Sequence, residues 1–232
     1  MIETLSAFWD FLKKPKLLKL SKDTKSLWRD LVWLIILDLL FAGIIMGIYY
    51  TLLHFEIIDE YVEKFDILKK LGLTVALLIA CILAPLLEES LFRWHLRSKY
   101  LPIYFVCSTL ALIADYFINS PFLKWPIYTF FFFISLIIRG YFKRMDIRKK
   151  VVFQRQSFGY LFYYSAIIFG LIHLTNIKDL TLSDPVFIIF VISQFFSGLS
   201  MGYMRIKYGL IYSILLHSIF NFIMILLEFF FS

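Results

Sequence analysis

The stretch "APLLEESLFRWHLR", from Ala84 to Arg97, sets two adjacent glutamates and an arginine at the end of a nearly uninterrupted apolar run. Together with that run, which begins at Leu71, the stretch is long enough for a helix across a bilayer, which needs roughly 20 residues. Charged groups are costly inside a membrane and usually face other helices or a water-filled cavity. Glu88, Glu89 and Arg93 therefore predict a polar site enclosed by membrane helices.

The composition extends this prediction to the whole chain. Its 232 residues are 61% hydrophobic and 20% aromatic, whereas a soluble domain is typically about 45–50% apolar. We predict an all-α, polytopic transmembrane helical bundle with seven spans, at about residues 31–54, 71–97, 101–118, 125–142, 157–176, 185–204 and 208–231. Cys81 and Cys107 lie in apolar blocks and are expected to be buried free thiols.

The distribution of basic residues predicts the orientation, because Lys and Arg collect in cytoplasmic loops. With a cytoplasmic N-terminus, seven spans put 19 of the 24 Lys and Arg on the cytoplasmic side. The opposite side receives the other five, which are Lys64, Lys69, Lys70, Lys124 and Lys178. Basic loops facing an anionic inner leaflet account for the net charge of +7, so we expect membrane lipids and no nucleic acid as partners.

The chain is predicted to divide at about residue 30. Residues 1–30 form a cytoplasmic basic segment, and residues 31–232 form a single transmembrane domain. Four apolar residues beside a lysine cluster indicate an interfacial amphipathic piece in the first segment: Phe8, Trp9, Phe11 and Leu12. A disordered basic tail is the alternative.

Three spans each carry two residues spaced four apart, which lie on one face of a helix. The pairs are Glu89 and Arg93, Phe169 and His173, and His217 and Asn221. Because such faces are poorly suited to lipid, we expect all three to face one shared cavity. Two further acids in spans, Asp38 and Asp115, have no spaced partner, so we expect them to make helix–helix contacts.

A cavity of this kind supports peptide hydrolysis without a covalent intermediate. By helical spacing, Glu89 is better placed than Glu88 to pair with Arg93, which leaves Glu88 free to exchange protons. A histidine from another helix can share a water molecule with Glu88, and a second histidine with an amide can donate hydrogen bonds to a developing oxyanion. The competing interpretation of each histidine alone is a helix–helix hydrogen bond.

Simple counting along the helices places two of these residues at different depths. Glu88 lies toward the cytoplasmic end of its span, and His173 lies toward the far end of its own. The two side chains meet only if the second helix continues past Lys99, or if the fifth span starts deeper and runs on toward Lys178. We expect some of both.

Proline and glycine residues near the motifs predict local features of the helices. Pro85, one turn before Glu88, removes a backbone hydrogen bond and predicts a kink or room for water. Gly198 and Gly202 form a small-xxx-small face, which predicts close helix packing beside the third motif.

The three motifs together resemble those of a known family. "EESLFR" at residues 88–93 resembles the EExxxR motif of the CPBP family, the membrane proteases that include type II CAAX prenyl endopeptidases and Abi-like bacteriocin-processing or immunity proteins. "FGLIH" at 169–173 and "HSIFN" at 217–221 resemble its FxxxH and HxxxN motifs, in the same order. The protease-like core runs from about 71 to 231. Two extra spans over 101–142 depart from the pattern, but an even number preserves the direction of the later helices.

The resemblance implies a glutamate-type intramembrane endopeptidase that needs no cofactor. The implied roles are water activation by Glu88 and His173, oxyanion stabilisation by His217 and Asn221, and support by Glu89, Arg93 and Phe169. A zinc-dependent protease with Glu88, His173 and His217 as ligands is the alternative. We favour the metal-free mechanism because the chain has no HExxH motif and Asn221 has no evident task around zinc.

The resemblance implies a multi-pass protein of a bacterial inner membrane. The partner that it implies is a peptide or protein substrate. A prenylated C-terminus and a bacteriocin precursor both suit a cleft that faces lipid. Two other classes compete with the protease. A proton-coupled transporter is disfavoured because no inverted repeat is evident, and a non-catalytic immunity or scaffold protein is disfavoured by the intact motif residues.

Overall fold

The computed structural model of the chain describes residues 1–58, 72–177, 180, 184 and 186–231. Within these ranges the protein is helical. The α-helices are α1 (Ile2–Lys13), α2 (Thr24–His54), α3 (Leu73–Leu78), α4 (Ala84–Arg93), α5 (Leu101–Ile118), α6 (Lys124–Arg144), α7 (Ile147–Ile172), α8 (Phe187–Lys207) and α9 (Leu210–Phe231). The all-α bundle predicted from the sequence is thereby confirmed.

Seven helices of the described part of the chain are long and apolar enough to cross a membrane. They cover residues 24–54, 73–97, 101–118, 124–144, 147–176, 187–207 and 210–227. Some predicted features lie outside the described residues. They are the starts of two spans, at 71 and 185, and the basic residues Lys64, Lys69, Lys70 and Lys178. Seven spans are therefore confirmed, and the cytoplasmic N-terminus stays a prediction.

Two helices begin well before the spans that hydropathy predicts, because aspartates cap them. Asp23 accepts a hydrogen bond from the backbone N–H of Lys25 at 3.0 Å and starts the helix whose span was predicted from residue 31. Asp146 accepts one from the N–H of Arg148 at 2.8 Å and starts the helix whose span was predicted from 157. Such side chains satisfy N–H groups that have no partner inside the helix.

The N-terminal helix α1 packs on the bundle. The rings of Phe8 and Phe11 are buried, with centroids 5.3 and 5.2 Å from the ring of Tyr203 in α8. Thr4 is also buried and donates a hydrogen bond to Asp30 at the start of α2, at 2.7 Å. The amphipathic pattern of the first segment is thus used against the protein's own core.

The second span is not a uniform α-helix. A π-helical turn, Ile79–Leu83, joins α3 to α4, and a 3₁₀ turn, Trp94–Arg97, ends the span. The N–H of Ala84 donates to the carbonyl of Ile79, five residues earlier. Pro85 follows in the first turn of α4 and has no N–H to donate to the π-helical turn before it.

The centre of the bundle is the packing of α7 against α8. A Cβ atom at Gly198 would lie 3.3 Å from the Phe169 ring, and one at Gly202 would lie 2.7 Å from the Phe162 ring. A larger residue at either position would require the facing ring, or the helix that carries it, to shift. The predicted close packing at these glycines is confirmed.

The extra spans α5 and α6 pack chiefly on each other at the edge of the bundle, and most of the α6 surface is exposed. Tyr128 of α6 donates to Asp115 of α5 at 3.1 Å. In the bundle interior, Ser200 of α8 donates to Asp38 of α2 at 2.7 Å. Both acids therefore make the helix–helix contacts expected of them.

Candidate active site

Three helices bring Glu88, His173 and His217 together. The Nε2 atom of His173 lies 3.5 Å from Oε2 of Glu88, and Nε2 of His217 lies 3.8 Å from the same oxygen. Glu88 belongs to α4, His173 begins the 3₁₀ turn after α7, and His217 lies in α9. The faces of the three motifs therefore meet at these three side chains, as their spacing predicts.

The difference in depth is resolved by where α7 begins. The second span ends at Arg97, so it does not continue past Lys99. Because α7 starts at Ile147, its middle lies beside the last turn of α4, where Ser165 donates to the carbonyl of Phe92 at 2.6 Å. The end of α7 therefore reaches the depth of Glu88. This agrees with the second of the two conditions expected from the sequence, a fifth span that starts deeper.

Hydrogen bonds at the Nδ1 atoms orient both imidazole rings. Nδ1 of His173 lies 2.7 Å from the carbonyl of Phe169, which can only accept, so this nitrogen carries a proton. Nδ1 of His217 lies 3.2 Å from Oε1 of Glu89, which fixes the same tautomer when that carboxylate is ionised. In both neutral rings Nε2 is then an acceptor that faces Glu88.

Glu89 is fully buried at 0% exposure and joins α4 to α9. It pairs with Arg93 at 3.7 Å, as helical spacing predicts, and it also meets His217. Ser213 donates a short hydrogen bond to its Oε2 while contacting the carbonyl of Met201 at 2.9 Å. Glu89 thus orients His217, and its neighbour Glu88 faces the Nε2 atoms of the two histidines.

Arg93, the last residue of the first motif, packs against the second motif. Its guanidinium carbon is 4.6 Å from the centroid of the buried Phe169 ring, a cation–π contact. Nη1 donates to the carbonyl of Phe92 and to Ser165 at 3.3 and 3.4 Å. Nε and Nη2 are buried without a hydrogen-bond partner among the described residues. The charge of Arg93 is therefore held by Glu89 and by the Phe169 ring.

Asn221 contacts the π-helical turn. Its Nδ2 donates to the carbonyl of Ala80 at 2.7 Å. In the π register that carbonyl would accept from Pro85, which has no N–H, while the N–H of Ala84 is taken by Ile79. Asn221 thereby satisfies a carbonyl that the helix itself leaves free. Its amide has a second N–H, which this contact does not use.

Among the described residues, no group of three or more His, Cys, Asp or Glu side chains is arranged to hold a metal ion. Nδ1 of each histidine is engaged by a protein acceptor, and Nε2 of each lies 3.5 or 3.8 Å from Oε2 of Glu88. Two ligands of one zinc ion, with bonds of about 2.0–2.2 Å, have similar separations, and zinc-binding histidines commonly have the other ring nitrogen engaged. Metal content is therefore the measurement that separates the zinc mechanism from the metal-free one.

Two contributors were missed from the sequence. Ser213 lies four residues before His217, so the same helical spacing that identified the motifs would have placed it on that face. Arg205 of α8 donates to the carbonyl of Arg93 at 3.1 Å and so binds the C-terminal end of α4. Basic side chains commonly satisfy the last carbonyls of a helix, but no spacing within α8 reveals which helix end is near.

Comparison with protein families gives the remaining evidence. The family model for type II CAAX prenyl endopeptidases, Rce1-like, matches residues 70–223, which include all three motifs. The chain belongs to this family. Membership supports a multi-pass membrane protein that hydrolyses peptide bonds. Neither a curated protein nor a solved structure matches the chain.

Proposed function

We propose that this family member is a metal-free intramembrane endopeptidase with Glu88 as its general base. The observation that carries the proposal is the convergence of two Nε2 atoms on Oε2 of Glu88, at 3.5 and 3.8 Å. An ionised carboxylate and two neutral histidines in this tautomer present only acceptors to one another. Such a group stabilises a proton or a water molecule among its members, which is what water activation needs.

The reaction follows from the placement of these groups. The side chain of Glu88 is 30% exposed although its Oε2 atom is covered, whereas that of Glu89 is fully buried, so solvent reaches only the first side chain. Glu88 accepts a proton as the water oxygen attacks the peptide carbonyl, and His173 shares that proton. The proton then passes to the leaving amine as the carbon–nitrogen bond breaks.

His217 and Asn221 are proposed to stabilise the tetrahedral intermediate. His217 presents Nε2 to the cavity and, once protonated, donates from it, with Glu89 offsetting the charge at Nδ1. The unused N–H of Asn221 is a second donor. Donors that are already oriented stabilise the developing oxyanion without reorganisation, which is why such groups are effective.

The substrate class we propose is a membrane-associated or lipidated peptide. A prenylated C-terminus and a bacteriocin precursor are both candidates, since lipid-facing helices surround the motif core. The first test is cleavage of a peptide library by the purified protein in detergent, with Glu88→Gln as the control. Cleavage by both proteins at equal rates would disprove the role of Glu88.

Metal content tests the competing zinc chemistry. Elemental analysis of active protein before and after chelation should show no stoichiometric zinc and no loss of activity. Stoichiometric zinc, with activity lost on removal and restored on return, would replace the metal-free mechanism and make Glu88, His173 and His217 ligands.

We also propose that the N-terminus is cytoplasmic, in a bacterial inner membrane. Lys124 starts α6 and Lys149 lies in the first turn of α7, so the orientation puts them on opposite sides. A membrane-impermeant maleimide added to intact cells should label Lys124→Cys and not Lys149→Cys. The native thiols Cys81 and Cys107 are buried and give little background. The reverse pattern would invert the topology.

A further inference from the structure

A cleft of about 310 Å³ lies between the second, third and fifth spans, and no residue of the Glu88 site lines it. Phe92, Phe105 and Ile168 form its buried apolar floor. Its rim is exposed, since Leu91 is 59% and Trp94 57% exposed. Because these spans cross a bilayer, the open side of the cleft faces lipid chains.

A cation lies at one end of this cleft. Tyr104 lines the cleft and its hydroxyl accepts a hydrogen bond from Nη1 of Arg139 at 2.8 Å. The Arg139 guanidinium also lies 5.8 Å from the ring centroids of Tyr100 and Tyr104. Arg139 is exposed and pairs with no carboxylate in the part of the chain that the structure describes. Its guanidinium is therefore held toward Tyr104, and no carboxylate among the described residues matches its charge.

The surrounding residues indicate that this end of the cleft lies at the membrane surface. Tryptophan and tyrosine concentrate at membrane–water interfaces, and Trp94, Tyr100 and Tyr104 are grouped here. The second span ends at Arg97, and the exposed Lys99 lies in the turn that leads into α5. An apolar cleft thus continues into a positively charged boundary with water.

We propose that the cleft and Arg139 bind one anionic phospholipid. An acyl chain occupies the apolar floor over Phe92, Phe105 and Ile168, and the lipid phosphate accepts hydrogen bonds from the free N–H groups of Arg139. Arginine binds phosphate through paired, charge-assisted hydrogen bonds, and basic pockets between membrane helices bind anionic head groups. A zwitterionic lipid offers the same phosphate, but the cation of its head group offsets that charge, so its attraction to Arg139 is weaker. This site is independent of the proposed protease chemistry.

The test compares two lipids that share acyl chains and differ in charge. Delipidated full-length protein in detergent is titrated with phosphatidylglycerol or phosphatidylcholine. Native mass spectrometry counts bound lipids, and thermal unfolding measures stabilisation. We expect one phosphatidylglycerol per chain, bound more tightly than phosphatidylcholine. Arg139→Gln should weaken phosphatidylglycerol binding about fivefold and phosphatidylcholine binding clearly less, since one basic residue near a membrane surface contributes about that factor for an anionic lipid.

Two further variants control the experiment. Arg155→Gln removes an exposed charge from α7 at a position about 20 Å along the helix from Ile168, and should bind both lipids like the unmodified protein. Ser108→Trp fills the cleft from an exposed lining position and should weaken both lipids. Equal affinity of the unmodified protein for the two lipids, or equal effects of Arg139→Gln and Arg155→Gln, would overturn the proposal. Unchanged lipid binding by Ser108→Trp would show that the acyl chain lies outside this cleft.

Discussion

Two clusters in this protein each bury a carboxylate oxygen, and they are built in opposite ways. Asp30, at the start of α2, is fully buried and accepts hydrogen bonds from Thr4, Lys207 and Tyr208 at 2.7, 2.6 and 2.7 Å. Oε2 of Glu88 is equally covered, yet it has no hydrogen-bond partner among the described residues. Carboxylates can accept several hydrogen bonds, so the first cluster is saturated and the second is not.

The difference separates a structural cluster from a reactive one. Asp30 joins α1, α2 and the turn between α8 and α9, and each of its donors comes from another element. Buried polar groups without hydrogen-bond partners cost stability. We therefore expect that the unpaired polar atoms of Glu88 and Arg93 are retained because the reaction uses them. Variants that separate stability from activity test this interpretation.

The largest expected effect is on turnover, from Glu88→Gln. Losing a general base typically lowers the rate about 10²–10⁴-fold. Because Oε2 of Glu88 satisfies no protein donor among the described residues, the melting temperature should not fall. Rate and melting temperature are measured on the same preparation, with the exposed Glu3→Gln as the control. A lower melting temperature with retained turnover would show that Glu88 has a structural role and not a catalytic one.

The second effect is on stability, from Asp30→Ala. Removing one partner of a buried ion pair typically costs about 3–5 kcal/mol, here because Lys207 loses its carboxylate. Asp10→Ala is the matched control, since Asp10 is 67% exposed and pairs with Lys13 at the surface, where such pairs contribute little. Steric-trap unfolding in bicelles measures both. Equal losses in the two variants would remove the contrast between the clusters.

Asn221→Ala separates two roles of one amide. As an oxyanion donor it contributes about 2.7–4 kcal/mol to the transition state, so kcat should fall while KM stays near its original value. As a partner of Ala80 alone it would contribute only about 1 kcal/mol, to stability. Kinetics and thermal unfolding of the variant decide between them. A lower melting temperature with unchanged kcat would restrict Asn221 to the π-helical turn.

The smallest effect is expected from Ser213→Ala. The hydroxyl donates to buried Glu89, and an unsatisfied buried carboxylate oxygen costs about 1–3 kcal/mol. His217 then loses part of its orientation, so kcat should fall modestly, and Ser213→Thr should restore it. Ser157→Ala is the control, because Ser157 bonds only the carbonyl of Phe153 on the exposed face of α7. Loss of kcat in both alanine variants would deny Ser213 a specific role.

The sequence predicts most of this bundle because hydrophobic blocks of bilayer length leave few alternatives. It also predicts the pair Glu89–Arg93, since both residues lie on one helix. The contact between Glu89 and His217 was not predicted, because spacing within one helix does not reveal which face another helix presents. The early start of α7 was missed for a different reason. Hydropathy ends a span at charged residues, whereas the cap at Asp146 shows that the helix continues through them.

The π-helical turn at Ile79–Leu83 changes how residues are counted along the second span. Such a turn holds one residue more than an α-turn, and the N–H of Ala84 accordingly donates to the carbonyl of Ile79, five residues earlier. Residues of α3 and α4 that share a face are therefore separated by one residue more than regular helical spacing gives. In this protein the i,i+4 rule that identifies the motif pairs applies on either side of the turn and fails across it.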